Sequence, residues 1–234
     1  MGHTFTLRDA SSRMSGYGLL STGSSGIDSL LGGGLKIGRV LEVFGESKSG
    51  KSQLAMQAAA CAAQAGHSAV YVDTEGAFRP ERVAQIGEAR GFESGIMDRI
   101  LYARAKSSAE QLEIVSGLGS RAETRDCRLV VVDTLTRHFT LDYSGRTNMQ
   151  ARQGALDFHL GEILRDAFLN GRAYLLTNRV TFSYGGQIVH IGGSTVSQLV
   201  HLSLKLLREE GGIRVEEIAS GRSALCRLGV AGIE

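Results

Sequence analysis

The stretch RVLEVFGESKSGKSQLAMQAAACAAQAG, residues 39–66, decides how the rest of the chain is read. Residues 39–44 alternate as a strand entering the loop. Gly45, four further residues, then Gly50, Lys51 and Ser52 fit the phosphate-loop spacing G-x-x-x-x-G-K-[ST]. The alanine-rich residues that follow form a helix, closed by Gly66. The glycines let the backbone wrap closely and point several N–H groups at phosphate oxygens. Lys51 would reach the β- and γ-phosphates, and the Ser52 hydroxyl would take one magnesium position. The helix directs its positive N-terminal end at the same place. A glycine-serine turn that merely contains a lysine needs neither the strand before nor the helix after. The expected ATP-binding residues are Gly45, Glu46, Ser47, Lys48, Ser49, Gly50, Lys51, Ser52 and Gln53.

Outward from this loop, strand and helix patterns alternate. AVYVD (69–73), RILYARA (99–105), LVVVD (129–133) and AYLLT (173–177) are strand-like runs. A helix follows each of the first two: Pro80 opens one at a position where its missing N–H does least harm. Ser107 and Glu110 form a capping-box signature before another. A long amphipathic helix is expected over residues 149–169. Beyond it the period falls to two in LVHLSLKLL, IRVEEI and SALCRLGV, separated by glycine turns, which suggests antiparallel strands added to a parallel core. The expected fold is α/β: a mostly parallel twisted sheet flanked by helices, with antiparallel C-terminal edge strands. Residues 1–22 lack periodicity and are expected to be an arm or linker; residues 23–234 form one core domain. Ligands of such sheets bind at the carboxyl ends of the strands. The phosphate loop, Glu75 and Asp133 all fall there. Asp133 closes an apolar strand, as a magnesium-holding carboxylate of a phosphate-loop ATPase should.

The 234 residues suit one domain with a sizeable core. No apolar run approaches membrane-spanning length. The opening MGHTFTLRDASSRM is polar and has no secretory-leader pattern, so a cytoplasmic protein without membrane partners is expected. Cys61, Cys127 and Cys226 are isolated in apolar segments and read as reduced core thiols; the scattered histidines argue against a zinc site. A formal net charge of +2 does not by itself mark a nucleic-acid binder.

VYVDTEGAFRPERV, residues 70–83, resembles the corresponding stretch of the RecA/RadA recombinase family. STGSSGIDSLLGGGL and LYARA are similar to the family's other segments, and LDYSGRTNMQARQ, residues 141–153, is the most specific match. The resemblance implies a RecA-like phosphate-loop ATPase core using ATP and Mg2+, with the metal on Ser52 and Asp133. It further implies Glu75 as catalytic base, Arg82 against the adenine, and Arg146 and Arg152 at the DNA backbone. Starting almost at the ATPase core, without the family's helical N-terminal domain, the chain resembles short RadA paralogues such as archaeal RadB. The implied function is an ATP-binding, ATP-hydrolysing accessory of DNA repair and homologous recombination. Its implied partners are single-stranded DNA, a full-length RadA-type recombinase or another paralogue, and further copies of itself.

Four departures stand out. Arg8 stands where the family's Phe-x-x-Ala arm, matched by Phe5, carries alanine. The second DNA loop is a short glycine-rich stretch between Phe182 and Gly193. ASGRSA, with Arg222, replaces the residues that cap the neighbouring subunit's ATP, so Arg222 reads either as an interface residue or as a plain turn arginine. LLTNRV ends its strand on Arg179 where the recombinases carry glutamine. This permanent cation is expected to face the nucleotide, stabilising ATP or acting as an arginine finger in cis; swung away it would instead join the DNA-facing charges or be a solvated arginine. Two other readings stay open: a KaiC-like signalling ATPase acting on protein partners without DNA, and a nucleotide-gated scaffold with little turnover.

Overall fold

The computed structural model describes residues 18–183 and 186–234. The expected arm lies outside the described residues as far as residue 17, including Phe5 and Arg8. At its end Leu19–Leu20 pair antiparallel with Leu35–Lys36, and Leu20 and Thr22 are buried.

Eight strands build the main sheet: β1 (Val40–Gly45), β2 (Ser68–Asp73), β3 (Ile100–Arg104), β4 (Cys127–Asp133), β5 (Ala173–Asn178), β6 (Leu202–Glu209), β7 (Gly212–Glu217) and β8 (Ser223–Cys226). They lie in the order β8-β7-β6-β1-β5-β4-β2-β3. From β6 to β3 every neighbouring pair is parallel, while β7 and β8 run antiparallel at one edge. Parallel pairing requires crossovers, supplied here largely by α1 (Lys51–Gln64), α2 (Pro80–Ala89), α3 (Ser108–Gly117) and α4 (Met149–Asn170). With helices on both faces, the inner strands are apolar at successive positions, which is why LVVVD and AYLLT read as continuous runs. Alternate side chains feed two cores. Leu129 and Val131 pack with the residues of α1, whereas Val130 and Val132 pack with Leu156, Leu160 and Ile163 of α4.

One strand differs from its sequence reading. LVHLSLKLL was expected to be antiparallel to the core, yet β6 runs parallel to β1, with Leu204 opposite Val43. Its period of two reports that one face is buried, a condition independent of strand direction. The first residues of that stretch end a helix, Gly193–Leu199, which provides the crossover. The helix Arg137–Asp142 and the hairpin Val180–Phe182/Ile188–His190 also have no strong local period. The capping box before α3 is half formed. Ser107 Oγ accepts from the Glu110 N–H at 3.1 Å, but the Glu110 carboxylate takes the Lys106 N–H, at 2.8 Å.

Helix α1 is buried almost all round, a position its small residues permit. In its middle Gln57, itself fully buried, donates to the carbonyls of Thr22 (2.9 Å) and Ile233 (3.0 Å) and accepts from the Ile233 N–H at 2.6 Å. Arg90 adds a second tie, from Nη2 to Gly23 O at 2.8 Å and from Nε to Ala231 O at 2.6 Å. Gln57→Ala leaves three backbone groups unpartnered, so a loss of about 2–3 kcal/mol is expected. Denaturant unfolding checks this; a midpoint equal to wild type would refute it.

Candidate nucleotide site

Local strain explains the glycines of the loop after β1. A side chain at Gly45 would collide with the Leu206 carbonyl of β6. Gly50 has φ +104°, and a Cβ there would sit 2.8 Å from Ile213. The loop is drawn tightly over β6. Lys51, at the start of α1, folds back so that Nζ donates to Gly45 O (2.8 Å) and Glu46 O (2.7 Å). Burial lowers its pKa, with Asp133 and Glu75 pulling the other way.

Opposite stands Asp133, buried at the end of β4. Tyr71 OH donates to its Oδ2 at 2.7 Å, and the Thr177 hydroxyl donates to Oδ1. Burial raises the Asp133 pKa; the Thr177, Tyr71 and Ser52 hydroxyls oppose that rise without cancelling it. The VDTEG turn beside it is organised by Asp73. One carboxylate oxygen accepts from the N–H groups of Glu75 (2.9 Å), Gly76 (2.7 Å) and Ala77 (3.2 Å), and the other from Phe78 (3.2 Å). Burial alone would raise the Asp73 pKa, but these four bonds outweigh it and hold the group low. The turn presents Glu75, whose Oε1 accepts from Thr134 Oγ1 at 2.7 Å.

Arg179 meets the same oxygen. Its Nε lies 2.8 Å and its Nη2 2.7 Å from Glu75 Oε1. Lys51, Ser52, Glu75, Asp133 and Arg179 therefore line one cavity of about 410 Å³, together with Gly45, Ser47 and Lys48 of the loop. Glu46, Ser49, Gly50 and Gln53 do not line it. Gln53 instead accepts from Arg82 Nε at 2.8 Å, while the other Arg82 nitrogens donate to Gly229 O (2.8 Å) and Val230 O (2.9 Å). Arg82, expected against the adenine, and Gln53, expected among the ATP-binding residues, are thus brought together against the C-terminal hairpin Leu228–Gly229/Gly232–Ile233.

Arg146 and Arg152 lie apart from this cavity. Arg146 is exposed, in a single turn before α4. Arg152 is half-buried and lines a second cavity of about 460 Å³ with Gln153 and residues 191–195. The ARQ end of the DYSGR…ARQ segment therefore faces the end of the glycine-rich stretch. Arg222 folds onto its own chain, with Nη2 at 2.7 Å from Glu217 Oε2 and from Leu30 O.

Sequence reasoning did not single out Tyr71, Thr177, Asp73 or Thr134. Tyr71 and Thr177 sit in apolar strands and look like core residues. Asp73 carried a usable signal, an aspartate just before a Thr-Glu-Gly turn whose backbone N–H groups it can accept from. Cys127 and Cys226 are buried and Cys61 half-buried, all free, and burial pushes the Cys61 and Cys127 thiols up to about 11. Among the described residues, no three His, Cys, Asp or Glu side chains converge as a metal site, and no helix is long and apolar enough to cross a membrane.

A sequence profile of the Rad51 family matches residues 16–224. The DNA repair and recombination protein RadA of Ignicoccus hospitalis is 36% identical over 215 residues, 85% of this chain and 66% of the relative. The protein of the same name from Metallosphaera sedula is 35% identical over 208 residues, 84% of this chain and 64% of the relative. The chain thus spans just under two thirds of the length of the curated relatives it matches.

Proposed function

The chain belongs to the Rad51 family, and from that premise we propose that it binds ATP with Mg2+ on the loop of residues 45–52, hydrolyses it, and acts on DNA in repair and recombination. Its role is that of a cytoplasmic accessory that assists a full-length RadA-type recombinase or another paralogue. The supporting observation is convergence: a lysine, a hydroxyl, two carboxylates and an arginine from separate stretches of sequence line one cavity. The fit to the ligands is chemical as well as spatial. Ser52 and Asp133 alone are too few for an all-protein metal cage, but Mg2+ is commonly held by one or two carboxylates plus substrate phosphates. When bound, the ion neutralises charge on the phosphate oxygens. Lys51 exchanges its loop carbonyls for phosphate oxygens. Glu75 orients water and takes its proton, and Arg179 stabilises charge on the transferred phosphoryl group.

Arg146 and Arg152 would contact the phosphate backbone of single-stranded DNA, the first from an exposed turn and the second from the neighbouring cavity. Titrating the whole chain with Mg-ATP, then with single-stranded DNA at two salt concentrations with and without ATP, tests both activities. Arg146→Ala should weaken DNA binding across sequences and reduce the salt slope by about 0.7, the value for one phosphate contact on a single strand. A wild type that binds no ATP ends the proposal. One that binds ATP but no DNA at either salt becomes a DNA-independent ATPase of the signalling type.

The ion pair between Arg179 and Glu75 favours a second reading, a nucleotide-gated scaffold with slow turnover. A carboxylate whose Oε1 already takes an arginine and a hydroxyl is a weaker base for water. Arg179→Gln keeps a donor but removes the charge. It should raise turnover about tenfold if the pair restrains Glu75, and lower it if the arginine acts on the phosphoryl group.

A further inference from the structure

A cavity of about 510 Å³ lies at the foot of the sheet, where the parallel strands begin. Val40 starts β1 there, and the other end of that strand, Gly45, enters the nucleotide cavity. Ile37 and, from α4, Leu164 and Phe168 supply an apolar lining. Lys36, Arg39 and His201 supply a polar one, and among the described residues no carboxylate lines the cavity. Lys36 and Arg39 are exposed, and neither has an ion-pair partner among the described residues. The two acids that flank Leu164 along α4 are already taken: Glu162 meets Arg165 at 2.9 Å and Asp166 meets Arg172 at 2.8 Å. His201 Nδ1 accepts the Val40 N–H at 3.0 Å, so a neutral ring carries its proton on Nε2. Burial, and after it Arg39, lowers the His201 pKa and keeps the ring neutral at pH 7.

The backbone that carries the two cations is fixed. Gly38 N–H donates to Arg172 O at 3.0 Å, Arg39 N–H to Lys36 O at 3.1 Å, and Tyr174 N–H to Arg39 O at 2.9 Å. A single unpaired surface lysine is a solvated charge. Two cations and a neutral donor around a concave apolar floor, with no acid among them, complement a segment that carries negative charge on either side of an apolar side chain. The chain's own residues 1–17 lead toward Leu19, which also lines the cavity, but they hold Arg8 and Arg13 against one acid, Asp9, and so share the sign of the rim. We propose that this cavity is a docking site for an acidic segment of a partner protein. One aromatic or aliphatic side chain of that segment packs against Ile37, Leu164 and Phe168, and its carboxylates meet Lys36, Arg39 and Nε2 of His201. The inference stands apart from the nucleotide reading, because the two cavities are at opposite ends of β1.

The probe is a fluorescently labelled peptide, acetyl-Glu-Glu-Phe-Glu-Glu-amide, titrated against the whole chain by anisotropy. Lys36→Glu combined with Arg39→Glu should weaken its binding about tenfold or more, since two exposed charge pairs turn from attraction to repulsion. The same double variant should gain binding of the basic counterpart, acetyl-Lys-Lys-Phe-Lys-Lys-amide. Alanine in place of the peptide's phenylalanine should also weaken binding about tenfold, because the apolar floor loses its occupant. Unfolding curves check that the double variant folds, and Arg39→Gln, which keeps a donor without the charge, should by itself weaken the acidic peptide about threefold. A wild type that does not bind the acidic peptide, or variants that bind it as well as wild type, overturn the inference. Three forms of competition overturn it too. Displacement of the acidic peptide by a synthetic peptide of residues 1–17 would make the cavity the seat of the chain's own arm. Displacement by single-stranded oligothymidylate in Arg146→Ala would make it a nucleic-acid contact. Self-association in sedimentation that disappears in the double variant would make it an interface between copies.

Discussion

Glu75→Gln should cut ATP turnover by about 100-fold or more, the ordinary contribution of a positioned general base, while ATP affinity holds. The substitution is nearly isosteric, and the turn that carries residue 75 is built by the Asp73 carboxylate and backbone N–H groups, not by the Glu75 side chain. Its amide oxygen can still accept from Thr134 and Arg179, so the cavity keeps its shape; only proton uptake is lost. Single-turnover measurement with saturating Mg-ATP separates that loss from product release. Turnover within a few fold of wild type would remove Glu75 from the chemistry.

Lys51→Ala should weaken ATP binding by at least about 100-fold. A charge-assisted hydrogen bond contributes about 1.5–3 kcal/mol, Lys51 can offer two to the phosphates, and about 1.4 kcal/mol is a factor of ten. In the structure Nζ is parked on two loop carbonyls at the mouth of the cavity, within reach of phosphate oxygens without rebuilding the loop. Calorimetric titration of folded mutant and wild type gives the comparison, with unfolding curves as the control for integrity. Undiminished affinity would mean that the loop is a turn and not a phosphate cradle.

How much of this was legible in the sequence depends on distance along the chain. The inner strands, α1 and the glycine-bounded loop between β1 and α1 announce themselves locally, because periodicity and glycine spacing act over a few residues. Where Asp133 and Glu75 would lie followed from strand ends, and the role proposed for Glu75 from family resemblance. What the sequence concealed is pairing across the sheet. Arg179 and Glu75 are 104 residues apart, and Glu42 and His190 are 148 apart. Nothing local distinguishes Glu42 from a strand residue facing water; only the assembled fold shows that it is buried and answered by three donors, from Asn178, His190 and Ser203. Tyr71 and Thr177 were hidden for the converse reason, since each looks apolar enough for the core while spending its hydroxyl on Asp133. The direction of β6 was hidden because alternation is the same for parallel and antiparallel strands with one buried face.

The two carbonyls that share the Gln57 amide nitrogen belong to Thr22 and Ile233, near the two ends of the described chain. In mechanical terms, those ends are fastened to one bolt, and that bolt is set in the helix that begins with Lys51. A pull on either segment is shared among the Leu19–Leu20 pairing with Leu35–Lys36, the backbone bonds between Arg227 and Glu234, and this side chain, and the part carried by Gln57 passes into α1. Traction applied by anything tethered at either end would therefore be shared with the helix that begins at Lys51 as well as with the sheet's outer edge, where Ser24 meets Cys226.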